Sequence, residues 1–159
     1  MNNTLNNTVI SWSDSFETKT VTGESTQSTT YYFINSELVA KKNPDSSKYY
    51  FHNDHLSSST IITNSGGTPI EQTKYDPWGD ILSGGTKSKF LYTGQEKDIE
   101  TNLNYYNARY YSSDMRRFTQ PDTIIQDAYS PQTLNRYSYV LNNPLKYTDP
   151  TGHITTSSV

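Results

Sequence analysis

The chain has no cysteine among its 159 residues, which excludes disulfides and thiolate metal centres and leaves the redox compartment open. Long apolar runs are missing as well: no stretch approaches the roughly 20 residues of a membrane-spanning helix. The opening MNNTLNNTVISWSDSF has neither a basic leader nor an apolar segment behind it, so no Sec signal and no membrane span are expected. An excess of positive charge is also lacking. Thirteen Lys and Arg stand against sixteen Asp and Glu, for a formal net charge of −3 and a pI near 5.5, which gives no footprint for nucleic acid or an anionic membrane. Asn2 and Asn6 lie in N-x-T sequons, which carry meaning only on a eukaryotic export route. Hydrophobic residues make up 31% of the chain and mean hydropathy is −0.82. A core of Leu, Ile and Val alone would therefore be thin.

Fourteen tyrosines fill that gap, because each can bury a ring while its hydroxyl finds a polar partner. An aromatic-rich β protein follows. Residues 1–30 are rich in Ser, Thr and Asn and read as a weakly ordered or β segment. From residue 31 to 82 the pattern is strand, turn, strand. YYFINSELVA and KYYFHNDHL read as neighbouring antiparallel strands, with NPDSS (residues 43–47) as the turn between them. In TIITNSGGTPIEQTKYD, Gly66-Gly67 supplies the positive φ of a tight hairpin, and Gly84-Gly85 repeats the device between DIL and KFLY. Tyr32, Tyr50, Tyr75, Tyr92 and Tyr110 recur at separations of 18, 25, 17 and 18 residues, a loose period suited to hairpin after hairpin in one sheet. One segment breaks the rhythm: Ser130 as N-cap, Pro131 in the first turn, and Leu134, Tyr137 and Leu141 at i, i+3 and i+7 predict a short helix over 131–141 that packs on the sheet. Asn142-Asn143-Pro144 ends it.

Enzyme motifs are sparse. There is no G-x-S-x-G elbow, no H-E-x-x-H, no P-loop and no dinucleotide fingerprint, so no cofactor is expected. His52, Asp54 and His55 carry the donor types of a zinc site, but the third histidine of the chain is the distant His153, and a structural turn is the simpler reading. An exposed tyrosine face would suit a sugar-binding or adhesive β module. Tyrosine as core material is the competing account.

Two long stretches carry a family resemblance. YTGQEKDIETNLNYYNARYYSSDMRRFTQPD (residues 92–122) runs on to LNRYSYVLNNPLKYTDPTG (residues 134–152). Upstream, His52, Asp54, His55 and Leu56 form an H-x-D-H-L unit, and Tyr75, Asp76, Pro77 and Gly79 a Y-D-P-x-G strand. Thr93, Gly94, Asp98, Thr101, Leu103, Tyr106, Ala108, Arg109, Tyr110 and Tyr111 continue the order. Arg117, Phe118, Asp122, Arg136, Tyr137, Asn142, Asn143, Pro144, Asp149, Pro150 and Gly152 complete it. Over residues 31–152 the chain resembles the RHS repeat-associated core domain of YD-repeat proteins, with residues 153–159 as a disordered tail. The resemblance implies a curled strip of YD-repeat hairpins. Asn102 and Asn107 stand where the family has Gly and tolerate the same left-handed backbone. Ser57 and Arg116 are harder replacements, and at Arg116 an altered turn is expected. Ser112-Ser113 replace the family's Asp-Pro.

The resemblance implies a structural role: the end of an RHS shell that closes or plugs a cocoon around a C-terminal toxin, as in polymorphic toxins and the C component of insecticidal toxin complexes. Partners would be other YD-repeat segments or a toxin-complex component, and delivery would be by a dedicated system as part of a larger protein. An open strip of sheet would also self-associate through its edges. Some family members cut their own backbone with two aspartates and an Arg. Here Arg136 and Asp149 occupy the positions of the Arg and the first aspartate. After Gly152 the sequence offers no further Asp, so the second carboxylate and the scissile bond are expected to be missing and no catalysis follows. The short helix would fold the chain back and bring Asp122 toward Asp149, but the lead beyond Gly152 is too short to present a bond to such a pocket.

Overall fold

A computed structural model describes the backbone of residues 7–13, 16–21, 27–125, 129–153 and 155–157, and side chains from residue 27 onward within these ranges. The protein is mainly β and antiparallel, in two compact units. The first comprises residues 1–51 and 62–70. A meander in sequence order, β1 (Asn7–Ser13), β2 (Phe16–Val21), β3 (Gln27–Ile34), β4 (Glu37–Lys42), β5 (Lys48–Asn53), β6 (Ser59–Asn64) and β7 (Pro69–Gln72), lies in it except for one end of each of β5, β6 and β7. Among the described side chains of this unit, Tyr31, Leu38, Phe51 and Ile62 are the buried apolar ones. The second, residues 52–61 and 71–159, holds β8 (Lys74–Tyr75) paired with β9 (Ile81–Ser83), a four-stranded sheet of β10 (Glu96–Lys97), β11 (Asn104–Tyr106), β12 (Arg109–Ser112) and β13 (Arg117–Phe118), and β14 (Tyr147–Thr148) paired with β15 (Thr156–Ser157).

The hairpins share one loop. At Asp54, Asn64 and Asp76 the backbone N–H of the Asx residue donates to the carbonyl four residues on, and its own carbonyl accepts from the residue three on. Its Oδ1 accepts the N–H groups of the residues two and four on: Leu56 and Ser58 for Asp54, Gly66 and Thr68 for Asn64, Trp78 and Asp80 for Asp76. The residue three on takes positive φ, namely Ser57 at 65°, Gly67 at 79° and Gly79 at 87°. Asn43 heads a fourth such backbone loop, with Ser46 at φ 68°. The H-x-D-H-L unit, the N-S-G-G-T hairpin and the D-P-x-G motif are thus one device: an Asx side chain that satisfies the turn's donors from within.

Several turns differ from the sequence reading. YYFINSELVA is two strands, not one, because Asn35 and Ser36 both take positive φ, 50° and 67°, the primed turn of a two-residue hairpin. Gly66-Gly67 belongs to the wider Asn64 loop, and only Gly67 has positive φ. Gly84-Gly85 joins no hairpin to KFLY, since β9 pairs back to β8. Gly84 lies there because a Cβ would meet the Gln72 carbonyl oxygen at 2.4 Å. Both Ser57 and Arg116 keep the left-handed turn, at φ 65° and 57°, so the turn at Arg116 is retained rather than altered. Residues 156–157, placed by sequence in a disordered tail, pair with Tyr147 and Thr148.

The helix expected over 131–141 is absent. Two short 3-10 turns, Pro131–Leu134 and Val140–Asn142, flank a further turn in which Ser138 N–H donates to the Asn135 carbonyl at 3.1 Å, and Ser130 makes no side-chain cap. The reason is competition from β13. The Tyr137 carbonyl accepts Phe118 N–H at 2.9 Å, the Arg136 carbonyl accepts Asp122 N–H at 2.8 Å, and Ser138 bridges Arg117. Leu134 and Tyr137, the intended helix face, are exposed, while Tyr139 and Val140 are buried.

The second unit's core is aromatic: Tyr92, Tyr106, Tyr111, Phe118, Tyr139 and Val140, with Tyr75, Trp78 and Tyr147 packed against them. Neighbouring tyrosines split across the sheet, Tyr106 and Tyr111 inward and Tyr105 and Tyr110 outward, as the period of two in a strand requires. The inward hydroxyls hold turns: Tyr92 donates to the Pro77 carbonyl at 3.0 Å, Tyr111 to the Trp78 carbonyl at 2.8 Å, and Tyr75 to the Ser59 carbonyl at 2.9 Å. Tyr106 donates to the Tyr139 hydroxyl at 3.1 Å and lies 2.7 Å from Thr93 Oγ1.

Two outcomes follow. Replacing Ser57 or Arg116 by Gly relieves a left-handed penalty, partly offset by greater freedom of the unfolded chain, and raises stability by roughly 0.5–1 kcal/mol. Gly152→Ala lowers it, because a Cβ there would lie 2.3 Å from the Tyr106 carbonyl oxygen at φ +78°; urea denaturation measures both. Burial is the largest cause raising the hydroxyl pKa of Tyr75, Tyr92, Tyr106, Tyr111 and Tyr139, the last to about 12. Their contribution to stability is complete below the unfolded value near 10 and is lost as pH rises through the folded values. Alkaline titration followed by tyrosinate absorbance therefore shows these rings ionising together with loss of the fold.

Candidate functional site

Arg109 opens β12 and pairs with Tyr106 across β11, which turns its side chain to the core face. Its guanidinium lies 3.6 Å over the centroid of the Phe118 ring. From there it reaches several chain segments at once: Nε donates to the Gly152 carbonyl, Nη1 to the Arg136 carbonyl at 3.0 Å, and Nη2 lies 3.0 Å from Asp122 Oδ2 and 3.4 Å from Asp149 Oδ2. Arg109, Asp122 and Asp149 are all at least 95% buried. Burial pulls the guanidinium pKa down, and the two carboxylates oppose that pull. Arginine stays charged in such surroundings.

Each carboxylate is also held by its own turn. Asp149 Oδ1 accepts the N–H groups of Thr151, Gly152 and His153 at 3.3, 2.8 and 3.0 Å, with Gly152 at φ 78°. The D-P-T-G turn thus uses the same side-chain device, an Asx oxygen that accepts the donors two and four residues on, with positive φ three residues on. Asp122 Oδ1 accepts Ile124 N–H at 2.9 Å and lies 2.7 Å from His153 Nδ1. Arg136, exposed on its side chain, donates from Nε to the Asp122 carbonyl at 2.5 Å. A pocket of about 20 Å³ opens beside them, lined among others by Arg109, Asp122, Arg136, Ser138 and Asp149. That is room for a water molecule.

The sequence candidates thus separate. Asp122 and Asp149 do converge, without the helix expected over 131–141. The cation between their carboxylates is Arg109, which the sequence marked only as a motif residue, whereas Arg136 contributes its main-chain carbonyl and a bond to a main-chain oxygen. His153 belongs to this centre, and no sequence signal pointed to it. Asn107, at φ 59°, ties the same turn by donating from Nδ2 to the Pro150 carbonyl at 2.9 Å. Of the candidate metal residues, Asp54 serves its turn, His55 Nε2 donates to the Leu145 carbonyl at 3.1 Å and His52 is exposed on β5. Among the described residues no group of three His, Asp or Glu is placed to hold a metal. The motif residues Tyr75, Asp76, Pro77 and Gly79 form the turn that Tyr92 and Tyr111 hold. Gly94 at φ 69° closes the turn after Tyr92, and the Asn143 carbonyl accepts the Lys146 and Tyr147 N–H groups after Pro144.

Comparison with known proteins gives consistent likenesses. The Teneurin YD-shell family profile matches residues 20–145. Salivary gland surface protein 1 of Aedes aegypti is 36% identical over 111 residues, which is 67% of this chain and 3% of that protein. Toxin subunit YenC2 of Yersinia entomophaga is 34% identical over 107 residues, 62% of this chain and 10% of that one. The crystal structure of TcdB2-TccC3-TEV matches with a TM-score of 0.76 at 22% identity, over 95% of this chain and 8% of that chain, a likeness of fold. The chain therefore spans a tenth or less of the length of each of these proteins.

Arg109→Met leaves two carboxylates in the interior without their cation, a change that costs about 3–5 kcal/mol. Adding Asp122→Asn to that variant removes one of the stranded charges and recovers part of the loss. Denaturation of the two variants side by side checks this, and equal stability of Arg109→Met and the parent would refute it.

Proposed function

Because this chain belongs to the Teneurin YD-shell family, we propose that it serves as a structural segment of an RHS-type shell, one that closes or plugs a cocoon around a C-terminal toxin. The observation that carries this reading is the arginine-centred clamp, which binds the turn at Asp149 to the sheet through side-chain and main-chain bonds at once. A turn fastened to the sheet in this way suits a part of a wall. The likeness to a toxin subunit and to a toxin complex supports partners of that kind, either other YD-repeat segments or a toxin-complex component. A chain that spans so small a share of its relatives supplies one portion of such a shell.

In this reading the aspartates hold structure and cut nothing. An acid–base pair of carboxylates works when like charges share one proton, whereas here a guanidinium lies between the two carboxylates and the backbone donors of a turn occupy Asp149 Oδ1. A second reading, aspartyl self-cleavage by Asp149 with Asp122 and an adjacent Arg, is favoured by one feature only, the water-sized pocket beside both carboxylates. Mass spectrometry separates the two. The purified chain keeps its intact mass through prolonged incubation from mildly acidic to neutral pH. A product shortened at one discrete bond and abolished by Asp149→Asn would establish the second reading instead.

A further inference from the structure

Away from the arginine clamp, the core face of the four-stranded sheet carries a second polar group that the shell reading does not use. Lys97 on β10 is the register partner of Asn104 on β11, and Asn104 is the partner of Tyr111 on β12. Carrying that register on by two residues brings Ser113 opposite Asn102. Lys97, Asn104 and Ser113 are 8%, 0% and 2% exposed. The Lys97 ammonium donates one long bond, 3.3 Å, to the Asn102 carbonyl, so it extends along β11 toward Ser113. Both amide atoms of Asn104 and the hydroxyl of Ser113 have no hydrogen-bond partner.

Three features together are unusual. A lysine is rarely buried to this degree unless an acid pairs with it, yet among the described residues no carboxylate stands within 4 Å of its nitrogen. Burial is the largest influence on this amine and pulls its pKa down, while Asp80 and Asp114 act in the opposite sense. Two further buried side chains beside it hold unpartnered polar atoms, a cost that native interiors avoid. The group is rich in donors, with two N–H bonds of the ammonium beyond the one used, two of the carboxamide and one hydroxyl. Its formal charge is +1.

We propose that Lys97, Asn104 and Ser113 form an internal site for a small monovalent anion of halide size. A single negative charge neutralises the ammonium, and donors on three side chains from β10, β11 and the end of β12 enclose it. The interior position of all three side chains suits a small ion better than a strongly hydrated oxyanion. The ion would tie β10 to the far end of β12, a link that the backbone ladder does not make.

Thermal unfolding of the full chain in chloride, bromide and gluconate at one ionic strength tests this. A halide site raises the unfolding midpoint in chloride and bromide over gluconate, with saturation as the halide replaces gluconate, and the rise disappears in Lys97→Met. Equal midpoints in all three salts, or a halide response that persists in Lys97→Met, overturn the proposal. If Lys97→Met does not fold, anomalous scattering from crystals of the parent protein grown in bromide decides: a peak between Lys97 Nζ and Asn104 Nδ2 supports the site, and an ordered water only overturns it.

Discussion

A single buried guanidinium organises the second unit. Arg109 stacks on Phe118, pairs with both Asp122 and Asp149, and has no acceptor of its own, so each hydrogen-bond partner it takes must supply an oxygen. The oxygens come from residues 122, 136, 149 and 152, and this one side chain reaches all four. The planar fork explains why Lys could not substitute: one ammonium cannot address two carboxylates and two carbonyls in fixed directions while lying flat on a ring. The turn at residues 135–138 follows as well, since a helix there would withdraw the Arg136 and Tyr137 carbonyls from their partners.

The tyrosines complement the clamp by solving a different problem. A chain with few aliphatic residues needs large apolar surfaces and also has many turns whose carbonyls must be satisfied. Tyr75, Tyr92 and Tyr111 meet both needs, with the ring in the core and the hydroxyl on a turn carbonyl. Phe in these places would fill the same volume and leave the carbonyls of Ser59, Pro77 and Trp78 short of a donor.

Features set by local chemistry were legible in the sequence. Asx and Gly residues marked most hairpins, the β character followed from tyrosine and β-branched content, and the family resemblance located the motifs in order. What could not be read was non-local. The 131–141 segment has sound helical spacing in Leu134, Tyr137 and Leu141, and it lost to strand partners on β13. Arg109 gave no sign of its rank among the motif residues, because its importance lies in contacts 13 to 43 positions away. His153 looked like a tail residue until the Asp149 loop turned it onto Asp122. The Asn35-Ser36 hairpin was missed for a smaller reason: two residues without glycine both take positive φ.

The turns and the clamp also differ in how far along the chain they reach. Each Asx-headed loop closes bonds over two to four residues, while Arg109 bridges as many as 43. Ring-closure entropy grows with the length enclosed, so the loops are available to a growing or unfolded chain before the clamp is. Hairpins of this protein are therefore suited to form one at a time as the chain emerges, with the arginine joining the last turn to the sheet only after residue 152 has been added.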